Sequence, residues 1–175
     1  MDGEYTGRLK KRAEANDTDA MRNLGVCYRD GIHGLPRDPE KAMEIWLRAG
    51  KLGCPAAYVN IGCVFQEGDG VEKDMKKATK YWELAAMGGD AFARHNLGLI
   101  EENEQGSTNR AVKHWMIAAG AGFDESLKSI RKCFMAGLAT KDDSERALRA
   151  HKEAKDEMKS DQREAFAAFR RKHEQ

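Results

Sequence analysis

The stretch LGVCYRDGIHG, Leu24 to Gly34, places a thiol (Cys27), a phenol (Tyr28), a carboxylate (Asp30) and an imidazole (His33) close together. A thiol next to an imidazole base is the pairing used in nucleophilic catalysis, and Cys with His and Asp is also a metal-binding set. A second stretch, IGCVFQEGDG, Ile61 to Gly70, repeats the frame: an aliphatic residue, Gly, an aromatic three residues past that Gly, and Gly again six past it. The Cys, Tyr, Asp and His do not all recur, so the shared frame reads as architecture.

The other candidates for chemistry are weaker. His33, His95, His114, His151 and His173 form no HxxH or HExxH pattern. Glu101 and Glu102 are adjacent, so on a helix they point about 100° apart and make no facing acid–base pair. Cys27 has no sequence signature tying it to His33 or His95. Cys27, Cys54, Cys63 and Cys133 are irregularly spaced, with no CxxC. They read as thiols in a reducing compartment and not as disulfides or metal ligands. The expectation is no enzyme, no catalytic residue, no metal and no cofactor.

The chain's 175 residues suffice for one domain with its own core. A net charge of +1 gives no general attraction to nucleic acid or anionic membrane. The opening residues contain no apolar run of a secretory signal, and no stretch approaches a membrane span. A cytoplasmic protein is expected.

Internal repetition carries most of the information. AMRNLG (20–25), AYVNIG (57–62) and ARHNLG (93–98) share Ala, three residues, an aliphatic and Gly, and SLKSIR (126–131) is a degenerate fourth copy. KAMEIWLRAGKLG (41–53), KATKYWELAAMGG (77–89) and RAVKHWMIAAGAG (110–122) share Ala, Trp, Ala and Gly in register, and RALRAHKEAKDEM (146–158) puts His151 at the Trp position. Ala20, Leu24 and Tyr28 form one helical stripe, and Ala42, Trp46, Ala49 and Gly53 form another. Small residues on these stripes let antiparallel helices approach closely, and Trp46, Trp82 and Trp115 are expected to fill the space between neighbouring units. Gly31 and Gly68 are placed to end the first helices in the left-handed conformation, and Asp supplies N-caps for the second helices. A lone helix pair cannot bury its apolar face, so pairs stack.

The reading is an all-α, right-handed superhelical solenoid of about four helix-turn-helix repeats, with a half repeat at each end. It forms a single domain over 5–173, with repeats at 18–54, 55–90, 91–123 and 124–158. An N-terminal half repeat covers 5–16. A C-terminal capping helix covers 161–173, started by a capping box from Asp161 to Glu164. Ten helices are expected.

These residues resemble the Sel-1-like repeat, a relative of the tetratricopeptide repeat. IGCVFQEGDGVEKDMKKATKYWELAAMGG follows its pattern nearly throughout, and the resemblance covers about residues 18 to 158. The first unit has one extra loop residue, and the third is shorter, with Glu101 at the aromatic position. The wording of units three and four is similar to members from diatoms and related algae. The resemblance implies a scaffold or adaptor that binds a protein or peptide on the concave face lined by each first helix. Two alternatives accompany it: a hydrolase like that suggested for cysteine-rich bacterial relatives, whose paired cysteines this chain lacks, and the repeat stalk of a larger ubiquitin-pathway protein.

Asn23, Asn60 and Asn96 recur two residues before the Gly of each first helix, where Asn is a poor helix former. They serve either as an amide ladder for a peptide backbone or as ties between units. The outward positions beside them are Arg22, Val26, Arg29, Val59, Gln66, His95 and Glu102. Of these, Arg22, Arg29, Gln66, His95 and Glu102, with Asn23, Asn60 and Asn96, make the expected partner-binding surface. Their mixed character, without stacked aromatics or a basic stripe, argues against nucleic acid. Phe166 and Phe169 on the last helix form a candidate stripe for self-association.

Overall fold

The computed structural model describes the backbone of residues 2–103 and 106–173 and the side chains of 3–103, 106–162 and 164. Among the described residues there are nine helices and no strand: α1 (Asp2–Glu14), α2 (Thr18–Asp30), α3 (Pro39–Lys51), α4 (Pro55–Glu67), α5 (Met75–Met87), α6 (Ala91–Asn103), α7 (Thr108–Gly120), α8 (Asp124–Met135) and α9 (Lys141–His173). The fold is an all-α repeat. The chain divides into two compact units, Met1–Ala93 and Arg94–Gln175.

The caps explain the helix ends. The side chains of Asp17, Asp38 and Asp74 accept hydrogen bonds from the N–H groups of Ala20, Lys41 and Lys77, satisfying donors that a helix start leaves open. Gly31 and Gly68 close α2 and α4 with φ of 66° and 76°, where a side chain would be strained. One bond closes each turn inside a repeat. Asp38 N–H donates to Tyr28 O at 2.7 Å, Asp74 to Phe65 O at 2.9 Å and Ser107 to Glu101 O at 2.8 Å. The extra loop residue of the first repeat is absorbed where His33 and Gly34 take positive φ of 55° and 77°.

The expected tenth helix does not form. α9 runs through residues 158–161 without a break, so the Asp161–Glu164 pattern lies inside a helix and starts none. The reason is local: 141–173 has neither Gly nor Pro and is rich in Ala, Lys, Glu and Arg, so nothing stops propagation. Arg146 pairs with Asp142 at 3.0 Å and Asp143 at 2.7 Å along this helix. The side chains of Phe166 and Phe169, expected to promote self-association, lie outside the described residues.

The tryptophans make a contact beyond the one expected. All three are nearly or fully buried, at 0% exposure for Trp46 and 1% for Trp82 and Trp115. Each indole sits on the glycine of its own repeat's first helix. A Cβ at Gly25 would stand 2.2 Å from Trp46 Nε1, one at Gly62 2.4 Å from Trp82 Nε1, and one at Gly98 2.4 Å from Trp115 Nε1. The ring therefore locks the two helices of one repeat instead of merely filling space between repeats. Trp46 Nε1 donates to Arg22 O at 3.0 Å, and Trp115 Nε1 donates to His95 O at 3.2 Å. Trp82 Nε1 finds no acceptor of this kind and lies beside the Cys63 thiol. Contact between successive repeats also involves other residues: a Cβ at Gly50 of α3 would meet the Tyr58 ring of α4 at 2.5 Å.

Candidate protein-binding face

Each residue turns a helix by about 100°, so positions three before and four after the Gly share one side. On α6 these are His95 and Glu102, and both meet α8. His95 Nδ1 lies 2.9 Å from Ser126 Oγ, and the Cys133 thiol donates to Glu102 Oε1 at 3.8 Å. That side faces the next first helix. His95 is thus 9% exposed, packed against the rings of Trp115 and Phe123, and is not an outward residue. Burial holds its pKa below the ordinary imidazole range, and the nearby Glu125 only partly offsets this. Ser126, fully buried, was not singled out from the sequence; a small residue at the Ala position was its only signal.

In the first unit the corresponding residues of α2 are Arg22 and Arg29. Arg29 donates to Asp30 at 2.6 and 3.0 Å and lies 5.9 Å from the Trp46 ring, and the Asp30 carboxylate raises its pKa. Gln66 is exposed near the end of α4. The arc of α2 opposite the Ala20–Leu24–Tyr28 stripe carries Asn23, Val26 and Asp30, and that of α4 carries Asn60, Cys63 and Glu67, with Val26 packed at the edge of the core and Cys63 beside Trp82. Asn23 and Asn60 are half-buried, and Asn60 Nδ2 is buried with no hydrogen-bond partner in the structure. In the second unit Asn96 is 9% exposed. Cys63 and Glu67 were not among the expected outward positions; Val26 was, though not among the expected binding residues. The shift from the outward positions to this arc is one of 60–100°, which periodicity alone does not resolve because it does not say which neighbour covers a stripe.

The residues of the opening stretch are not gathered for chemistry. Cys27 is 3% exposed in α2, while His33 sits in the turn with its ring 4.8 Å from that of Tyr5. All four cysteines are free thiols. Burial pushes the thiols of Cys27, Cys63 and Cys133 above their ordinary range, and neighbouring carboxylates add to this, opposite to what an activated nucleophile needs. No group of His, Cys, Asp and Glu among the described residues is placed to hold a metal ion. No described helix is long and apolar enough to cross a membrane.

A first helix with a glycine seat, a ring from the second helix upon it, and stacked copies of that pair define a helical repeat module. The Sel1 repeat family model matches residues 18–54 and 55–90, the first two repeats. It is similar to the ERAD-associated E3 ubiquitin-protein ligase component HRD3B of Arabidopsis thaliana, 32% identical over 93 residues, covering 53% of this chain and 14% of that protein. It is 30% identical over 100 residues to Chitin synthase regulatory factor 3 of Schizosaccharomyces pombe, covering 54% of this chain and 11% of that protein. The chain therefore spans only a small part of the curated relatives it matches. Among solved structures, the Sel1 repeat protein from Oxalobacter formigenes is similar at a TM-score of 0.73 and 28% identity, over 90% of this chain and 65% of the other. Sel1 repeats are in general protein–protein interaction modules.

Proposed function

We propose that the chain is a non-catalytic scaffold or adaptor that binds a protein or peptide segment along its first helices. In the first unit the binding arc consists of Asn23, Val26, Asn60 and Cys63, flanked by Arg22, Arg29, Gln66 and Glu67. In the second unit Asn96 and Glu102 are the corresponding candidates, and His95 supports them from beneath. The observation that carries this reading is Asn60 Nδ2, a buried donor without a partner on a half-buried side chain at the edge of the open arc. A donor left unmade costs more than an average hydrogen bond contributes. A peptide carbonyl laid along α4 takes that hydrogen bond if the half-buried side chain swings Nδ2 out to it.

Photo-crosslinking tests the face. A benzophenone side chain at Val26 or Cys63 should capture a discrete partner from the native source, and the same group at Glu83 on α5 should not. Equal capture at all three positions would count against the arc. A second reading, a segment of a larger ubiquitin-pathway protein, is supported by the similarity to HRD3B. Transcript sequence upstream of Met1 encoding a ligase or ligase-binding module in frame would favour it.

A further inference from the structure

The first unit has an opening on the side of α2 turned away from the arc described above. It is a crevice of about 330 Å³ between α1, α2 and α3. Its floor is apolar: Met21, Leu24 and Tyr28 from α2, Ala13 from α1 and Ile45 from α3. Its rim is charged and unbalanced, with Lys10, Lys41 and Arg48 against the single carboxylate of Glu14. Among the described residues none of the three cations is in an ion pair. Lys41 holds its ammonium 4.7 Å from the centre of the Tyr28 ring, and Arg48 spends one N–H on Asn16 Oδ1 at 2.6 Å, leaving its other donors open.

The next repeat carries bulkier side chains at the same positions. By register, Met21, Tyr28 and Ile45 correspond to Tyr58, Phe65 and Tyr81. There three rings pack on one another: Tyr81 stacks on Phe65 at 5.8 Å with planes 3° apart, and on Tyr58 at 6.1 Å. Lys77, the counterpart of Lys41, covers Phe65 at 5.2 Å. Two of the three rings are replaced by aliphatic side chains in the first repeat.

We propose that this crevice is a second binding site, which receives one large apolar side chain of a partner's acidic peptide segment. The volume lies at the small end of ligand pockets, enough for a side chain and its immediate surroundings but not for an extended chain. The excess of rim cations selects carboxylates flanking that anchor, and electrostatic complementarity of this kind sets specificity more than affinity. The site is independent of the first-helix arc, so either can fail without the other.

The test uses the full chain and an acetylated, amidated probe peptide, Asp-Asp-Phe-Asp-Asp, followed by NMR shifts of the α2 and α3 amides. The expected result is saturable binding at one site, with Phe→Ala in the peptide, or Lys in place of its Asp residues, weakening it by roughly tenfold or more. Ile45→Tyr restores the residue type of the second repeat and should abolish binding without lowering the melting temperature. Lys41→Glu with Arg48→Glu changes only the rim and should weaken binding by at least roughly tenfold in a chain of unchanged helicity, which keeps the test decisive if the tyrosine variant folds poorly. No saturable shift at millimolar peptide would overturn the proposal. So would equal binding of the Phe and Ala peptides, or binding that survives both variants. Phenylacetate binding as tightly as the peptide would also overturn it, by making the site one for a free small carboxylate.

Discussion

The first repeat and the last are built on the same register but held by different forces. In the first, Trp46 is fully buried on Gly25 and its N–H is bonded to a helix carbonyl. In the last, Arg131 stands at the glycine position and His151 at the tryptophan position. There is no seat and no ring to fill it. α9 is instead fastened to α8 at the surface: His151 Nε2 lies 2.7 Å from Asp124 Oδ1, and Lys155 Nζ lies 3.3 Å from the same oxygen. These bonds hold the Asp124 carboxyl below the usual carboxylate range. The apolar part of this repeat is Ile130, Cys133 and Ala147, packed with Trp115 of the preceding one. A ring on a glycine is shielded from water and salt, whereas a surface ion pair is screened by both. The contrast places the stability of a repeat in its Trp–Gly contact and leaves the last repeat dependent on its neighbour.

The sharpest way to break this contrast is to remove a ring. Trp82→Ala should cost about 3–5 kcal/mol, enough to threaten a marginal domain, as read by chemical denaturation. A loss below about half a kcal/mol would mean that the ring is not the lock. Gly62→Ala approaches the same contact from the other helix. The added Cβ would stand 2.4 Å from Trp82 Nε1, so overpacking of about 1–3 kcal/mol should outweigh the usual helix gain of Ala over Gly. A stabilised variant would show that the indole moves aside easily.

Acid should loosen the second unit through His95. Its pKa is lowered in the folded state, so as pH falls below the ordinary value of about 6.5 the unfolded chain takes up the proton first. The stability that the neutral imidazole contributes is present above that pH and is lost progressively as pH falls towards the folded value. His95→Gln should flatten the dependence of melting temperature on pH between 7 and 5 relative to the parent, and an unchanged slope would assign the dependence to another group. The smallest effect should come from Asp124→Asn, which removes the exposed partner of His151 and Lys155. Its melting temperature should fall less than that of the Gly62 variant, and the difference from the parent should shrink as salt is added.

Much of this molecule was legible in its sequence, for reasons that particular residues make plain. The repeated Ala, Leu and Gly of the first helices and the Trp of the second are required at contacts that recur, so they recur in the chain. Gly31, Gly68, Asp38 and Asp74 act within one turn of where they stand, so their roles follow from local geometry. What depended on a distant neighbour was not legible. Periodicity showed that Trp82 lies on a buried stripe but not that Gly62 of its own repeat is the seat. It made His95 look outward because Ser126 is invisible from α6. The capping-box pattern at Asp161 promised a helix start, but a pattern of four residues does not interrupt a helix that lacks a breaker. The binding face was legible only as an asparagine register. The orientation proposed for it rests on the contacts His95 and Glu102 make with α8.

The account's central claim is that the asparagines of the first helices serve a partner and not the fold. Asn23→Ala with Asn60→Ala in one chain, measured both for melting temperature and for affinity to the partner captured through Val26 or Cys63, tests it most directly. With each hydrogen bond contributing about 0.5–1.5 kcal/mol, affinity should fall by roughly ten- to a hundredfold while the melting temperature stays within a degree or two of the parent. A clearly lowered melting temperature, with affinity lost only in proportion to unfolding, would contradict the claim and make the asparagines ties between repeats.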